Sequence, residues 1–146
     1  MNISIGMRQR KVLINDDPPA PEDTITNNTS YKCLKNAIDT LLIKSSDSIS
    51  KLVRNTFSSN SPYSLAFYSP MYVSTGMPAE TTMNTDSLIS IAFSKVEING
   101  GSQEFIFSAV LHEMVHALLV TDPNVPQDLQ GQHTYMLQNY SWSTGF

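Results

Sequence analysis

Residues 103–121 read Gln-Glu-Phe-Ile-Phe-Ser-Ala-Val-Leu-His-Glu-Met-Val-His-Ala-Leu-Leu-Val-Thr, a run long and apolar enough to form the central helix of a small domain. Ser102 before the run is a residue type that caps helix N-termini, and Asp122-Pro123 after it favours a helix end. The run therefore predicts one helix over 103–121. Its apolar residues cover almost the whole circumference, so we expect burial on most sides; they are Phe105, Ile106, Phe107, Val110, Leu111, Met114, Val115, Leu118, Leu119 and Val120.

A polar stripe interrupts this apolar surface. Glu104, Ser108, His112 and His116 recur at four-residue steps, and Glu113 lies beside them. Residues four apart on a helix lie one above the other, so both imidazoles can reach one metal ion. The five residues from His112 to His116 match H-E-x-x-H, in which two histidines bind zinc and the glutamate takes a proton from a metal-bound water. The stripe predicts a catalytic Zn²⁺ site with His112 and His116 as metal ligands and Glu113 as the general base.

The stripe has a second interpretation, as the solvent-exposed face of the helix. A single histidine would favour that interpretation. Here two histidines and a glutamate lie together in a helix otherwise suited to burial. Buried imidazole and carboxylate groups are costly unless they are paired or metal-bound. The metal site is therefore the leading hypothesis.

The third zinc ligand has two candidates, because catalytic zinc usually takes three protein ligands and keeps a fourth position open. His133 is the one histidine outside the motif, and it lies in a predicted last helical segment from about Gln127 to Tyr140. Asp122 is the rival, at the spacing of the metzincin pattern H-E-x-x-H-x-x-G-x-x-H/D. That pattern needs glycine where this chain has Leu119, because the helix must break there. We predict His133 as the ligand, with Asp122 ending the helix or hydrogen-bonding a ligand imidazole.

Two tyrosines in the last segment are candidate transition-state residues. Tyr135 and Tyr140 can each donate a phenolic hydrogen bond to a developing oxyanion. Each is also of a type that commonly packs as a core or rim aromatic. Both interpretations stay open from the sequence.

Composition restricts the classes of protein that this chain can belong to. Its 146 residues suit one domain, and its net charge of -4 with no long Lys/Arg run argues against a nucleic-acid partner. The single Cys33 excludes an internal disulfide. The sequence shows neither about 18 consecutive apolar residues nor a signal-peptide pattern, so we expect no membrane association and a cytoplasmic location by default. Specialised export, or release from a larger polypeptide, would leave no trace in this sequence.

The chain divides into a flexible N-terminal leader or linker at 1–29, which is Pro-rich and acidic at 16–23, and a domain at 30–146. Helical periodicity over 34–42 and 49–57, separated by the capping run Ser45-Ser46-Asp47, predicts a helical hairpin. A long loop is predicted over 70–87, which is rich in Pro, Gly, Thr and Asn. Strand-like patterns predict an α+β domain; they occur at Ser64–Ser69, Leu88–Phe93 and Lys95–Asn99.

Residues 103–140 resemble the zincin metallopeptidases, in particular small SprT-like domains. They are also similar to zincin-like domains at the C-terminal ends of large bacterial surface or toxin-like proteins. The resemblance rests on Ile-Phe-Ser-Ala-Val-Leu-His-Glu-Met-Val-His-Ala followed by His-x-x-Met-x-x-x-Tyr. It implies a small mixed or antiparallel sheet packed on helices around a central buried H-E-x-x-H helix. It further implies an edge strand along the cleft, either Leu88–Phe93 or Lys95–Asn99, to which a peptide substrate adds by backbone hydrogen bonds.

Three hypotheses about function follow from these residues. The first is a zinc-dependent peptidase that acts on a peptide or protein substrate. The second is a metal-binding interaction domain without turnover, against which the intact Glu113 speaks, because a structural site needs no general base. The third is the same catalytic domain acting as a secreted toxin or effector, as part of a larger polypeptide or effector system.

Overall fold

The computed structural model describes residues 24–74, 76–126, 128, 130, 131, 134, 135 and 138. One strand is followed by two helices, three further strands and two more helices, and a π-helical turn at Thr40–Lys44 extends the first helix. In chain order the elements are β1 (Ile25–Asn28), α1 (Lys32–Asp39), α2 (Ser48–Thr56), β2 (Ser64–Tyr68), β3 (Ala79–Met83), β4 (Leu88–Phe93), α3 (Lys95–Ile98) and α4 (Gln103–Thr121).

The four strands form one mixed sheet in the order β1-β2-β4-β3. β1 and β2 pair in parallel, as do β2 and β4, whereas β3 pairs antiparallel to β4. The two inner strands, β2 and β4, are the most apolar and the most deeply buried. β3 forms one edge, and its exposed residues include Glu80 and Thr82. The prediction of an α+β domain with a mixed sheet packed on helices is confirmed at this level.

The helix α4 packs across this sheet and forms the centre of the core. Its predicted limits are confirmed: the Ser102 hydroxyl accepts a hydrogen bond from the Phe105 amide at 3.2 Å, and Asp122 is the C-cap. Burial is one-sided rather than complete, because Phe105 and Val120 remain 42% and 40% exposed. The buried side joins one core cluster with the sheet and with α1 and α2; it includes Ile106, Val110, Met114, Ala117 and Leu118.

By length and composition, α4 is long and apolar enough to cross a membrane, with a mean hydropathy of 1.4. The core helix of a globular domain has the same properties. Here α4 contacts α1, α2, β3 and β4, as a core helix does.

The helical hairpin that the sequence predicts is present as α1, the π-helical turn and α2. The Asp47 carboxylate caps α2 by accepting the Ser50 amide at 2.8 Å. Arg54 holds the two arms together through its guanidinium, which donates to the carbonyls of Leu42 at 2.9 Å and Ser45 at 3.1 Å. The carbonyls at the end of the π-helical turn are thereby satisfied by a side chain from α2.

The predicted strand at Lys95–Asn99 is wrong, because Lys95–Ile98 is the short helix α3. The Ser94 hydroxyl accepts a hydrogen bond from the Glu97 amide, and the Ile98 amide donates to the Ser94 carbonyl at 2.9 Å. Val96 is 54% exposed and Ile98 is fully buried, so the alternation of apolar residues does not mark one face of a strand. A local cap outweighs a pattern of only two apolar residues.

The predicted loop over 70–87 is also wrong in part, because it contains β3. Ala79–Met83 forms a strand because it pairs with β4, which lies outside the predicted loop. The sequence of Ala79–Met83 has little hydrophobic pattern of its own. The predicted edge strand changes as a result: β4 lies inside the sheet, and β3 is the edge beside α4. At the other edge, β1 lies inside the segment predicted as leader, so the described sheet includes residues before position 30.

Candidate functional site

His112 and His116 meet on one face of α4, as their four-residue spacing predicts. Their Nε2 atoms are 3.0 Å apart, and their ring planes cross at 74° with centroids separated by 4.6 Å. Two nitrogens bound to one tetrahedral zinc, each about 2.0–2.1 Å from it, lie about 3.3 Å apart. The pair therefore fits a single metal ion with little rearrangement. The same contact also suits one imidazole donating its N–H to the other.

The surroundings of His116 favour the form that binds metal. Burial lowers the pKa of His116 below its usual value; the negative charge of Glu113 opposes this shift, and His112 reinforces it. A metal ligand must be a neutral imidazole, so a lowered pKa keeps more of His116 ready to bind at neutral pH. His112 is exposed and His116 is half-buried, so one ring faces solvent while the other is anchored against the protein.

Glu113 is buried, with 6% of its surface exposed. Its Oε2 atom accepts a hydrogen bond from the Thr81 hydroxyl at 2.6 Å. Thr81 lies on β3, 32 residues earlier in the chain, so the sheet supplies this partner and not the helix. The expectation that Glu113 lies beside the two histidines holds, and the structure adds a donor that the sequence does not reveal.

A cleft of about 220 Å³ lies between α4 and β3 and contains all three motif residues. One wall is α4, which contributes His112, Glu113 and His116. The other wall comes from β3 and the loop before it, which the sequence analysis did not assign to the site; its lining residues are Ser74, Met77, Ala79, Glu80 and Thr81, and Val120 adds to the α4 wall. The signal that could have pointed to them is the pair Thr81-Thr82, because β-branched residues favour strands.

A second cavity, of about 260 Å³, lies between α1 and the start of α4. Cys33, Thr40 and Gln103 are among its lining residues, and none of the motif residues lies there. The three motif residues therefore lie in the cleft beside β3, which is the smaller of the two.

Asp122 and Tyr135 are joined by a hydrogen bond. The Tyr135 hydroxyl donates to Asp122 Oδ2, while Asp122 Oδ1 accepts from the Asn124 amide at 2.9 Å. These hydrogen bonds, with that from Tyr135 the strongest, lower the pKa of the Asp122 carboxyl. Asp122 ends α4 as predicted. Its alternative role as a zinc ligand, and the role of Tyr135 at an oxyanion, stay predictions.

His133 and Tyr140 lie outside the described residues. In the predicted last helical segment, five described residues are helical, namely Gln130, Gly131, Thr134, Tyr135 and Gln138, whereas Asp128 lies in a bend before them. Among the described parts of the chain, no group of three His, Cys, Asp or Glu side chains is arranged to hold a metal ion. The assignment of His133 as the third ligand therefore stays a prediction from the sequence.

Searches against family models, curated proteins and solved structures found no match to this chain. Function is therefore inferred from the chemistry and geometry of its own side chains.

Proposed function

We propose that this protein is a zinc-dependent peptidase in which His112, His116 and His133 hold the metal and Glu113 is the general base. One observation carries the proposal: two Nε2 atoms converge to 3.0 Å in a cleft that also contains a buried glutamate. Two metal-binding nitrogens and a carboxylate in one cleft are the groups that metal-assisted hydrolysis needs.

Each motif residue has a distinct role in the proposed reaction. When bound, Zn²⁺ supplies Lewis acidity, which lowers the pKa of water to about 7 and polarises a carbonyl oxygen. The neutral imidazoles of His112 and His116 fix the reacting centre at the surface of α4. Glu113 takes a proton from the attacking water and later delivers it to the leaving amine, so that no charged amide nitrogen has to depart.

The edge strand β3 supports a peptide as the substrate. One side of β3 pairs with β4, and the other side is the edge of the described sheet. Ala79, Glu80 and Thr81 of this strand line the cleft opposite the motif. An extended peptide can pair with such an edge by backbone hydrogen bonds, which places its carbonyl groups along the cleft largely independently of its sequence.

The deciding experiment is the zinc content per chain by elemental analysis, measured on the untagged protein. The wild type is expected to hold about one zinc ion, and His112→Ala and His133→Ala are expected to lose it, since two remaining ligands bind weakly. Retention of zinc by His133→Ala would move the third ligand to Asp122 or elsewhere. A wild type without zinc would overturn the proposal and leave the stripe as a solvent-exposed face.

A second candidate function is a metal-binding interaction domain without turnover. One observation favours it: the Glu113 carboxylate is buried and already hydrogen-bonded to Thr81, as a carboxylate with a purely structural role would be. Zinc-loaded wild type with no turnover against a broad set of unfolded protein substrates would select this alternative. Turnover that disappears in Glu113→Gln would exclude it.

A further inference from the structure

We infer that Thr81 is a positioning residue that holds Glu113 in the orientation its role as general base requires. This inference rests on the proposed function and extends the site from α4 to the edge strand β3. Thr81 touches neither histidine in the hydrogen bonds described, so it acts through Glu113.

The hydrogen bond is short and directed at the reacting group. The Thr81 Oγ1 atom is 2.6 Å from Glu113 Oε2 and 3.3 Å from the Glu113 backbone carbonyl oxygen. A hydroxyl has one proton to donate, and the nearer carboxylate oxygen is the stronger acceptor. Thr81 therefore holds one oxygen of the carboxylate, which leaves the second oxygen for the water that must be deprotonated.

The donor itself has little freedom to move. Threonine is β-branched, so its χ1 angle is restricted, and residue 81 pairs with Ile91 of the buried strand β4. Ile91 is fully buried, so the strand beside Thr81 is anchored in the core. A glutamate has three side-chain torsions and needs such an external restraint to stay in one orientation.

The arrangement also explains why the two walls of the cleft need each other. A carboxylate buried to this degree is costly without a hydrogen-bond donor. In the middle of α4 the backbone N–H groups already donate to carbonyls of the helix itself, so the donor must come from elsewhere. The Thr81 hydroxyl provides one from β3. Displacement of a reacting group by about 1 Å can cost about 100-fold in rate, so the loss of this restraint should be visible in kinetics.

Thr81→Val removes the hydroxyl and keeps the β-branched shape. We expect kcat to fall about 10- to 100-fold with little change in KM, because the base is misplaced while the substrate is still bound. Zinc content should be unchanged, since the ligands are untouched. Thr81→Ser restores a hydroxyl and should recover most of the activity.

Thr82→Val is the matched control. Thr82 is the next residue of the same strand, is exposed, and does not line the cleft. It undergoes the same chemical change, so it reports any general effect of losing a hydroxyl from β3. Its kcat is expected to equal that of the wild type.

Crystal structures of the metal-free wild type, Thr81→Val and Thr81→Ser give a readout independent of turnover. Glu113 should adopt one conformer when residue 81 carries a hydroxyl and several when it carries valine. An active wild type with an equally active Thr81→Val overturns the positioning role and leaves the peptidase intact. An inactive zinc-loaded wild type overturns the peptidase; the Glu113 conformers then decide whether Thr81 orients it, and one unchanged conformer in Thr81→Val refutes that as well.

Discussion

The two walls of the cleft differ in almost every physical respect. The helix α4 is 19 residues long, capped at both ends and packed on α1, α2 and the sheet. The strand β3 has five residues, lies at the sheet edge and is largely exposed. The two histidines and Glu113 stand on the helix that is packed into the core, and the strand that faces them is an edge of the described sheet. Such a division suits a site that must hold its reactive groups still while it accepts a ligand along an open edge.

The largest effect that can test this division is on the α4 wall. Glu113→Gln keeps the shape of the side chain and an acceptor oxygen for Thr81, but it removes the basic carboxylate. Turnover is expected to fall about 10²- to 10⁴-fold, the usual contribution of a general base, with zinc retained. Steady-state kinetics beside elemental analysis make the measurement. A variant that keeps wild-type turnover would show that the α4 wall does not carry the chemistry.

The one-sided burial of α4 can be tested away from the site by two neighbouring substitutions. Ile106 is 3% exposed and Phe105 is 42% exposed, so they sample the two sides of the same helical turn. Ile106→Ala is expected to lower the free energy of unfolding by about 2–5 kcal/mol, because it leaves a cavity in the core. Phe105→Ala should cost less than half as much. Equal losses in guanidinium unfolding would mean that α4 is buried on both sides.

Amide hydrogen exchange compares the two walls directly. Backbone amides of the central turns of α4 should exchange at least about tenfold more slowly than those of β3, because edge strands open locally before the core does. Amides of β4, at the centre of the same sheet, serve as the internal reference. If β3 proved as protected as β4, its outer edge would be covered by a further part of the chain.

The smallest effect concerns the end of α4. The folded-state pKa of Asp122 is lowered, first by the hydrogen bond from Tyr135 and then by those from Asn124. A lowered folded pKa adds stability above the unfolded value of about 3.9, and this stability is lost as the pH falls through the folded pKa. Asp122→Asn should therefore be less stable than wild type at pH 6, and the difference should shrink in acid. Thermal unfolding from pH 6 down to pH 2 measures it; a difference that grows in acid would contradict the assignment.

Each wall of the cleft could be predicted from the sequence to the extent that its contacts lie within one element. The limits of α4, its Ser102 cap and the approach of His112 to His116 all depend on contacts within one element, so a local pattern suffices. The zinc and the catalysis assigned to these residues stay predictions.

The opposite wall was not predicted, because its structure depends on partners outside its own segment. β3 becomes a strand by pairing with β4, and Thr81 becomes relevant only when it meets Glu113, 32 residues away. The helix α3 was missed for a different reason. Val96 and Ile98 fit a strand as well as a helical turn, and the Ser94 cap decided between the two.

The parallel pairing of β1 with β2 has a consequence for the order in which the molecule assembles. Ile25 lies opposite Leu65, so this pair closes a loop that contains the whole helical hairpin. Closing such a long loop reduces the chain entropy before the stabilising contacts have formed, and this slows folding. The antiparallel β3–β4 pair, in which Met83 lies opposite Ile89, closes only a short turn. The strand β3, which faces the motif, is therefore expected to form early, and β1 is expected to join the described sheet last.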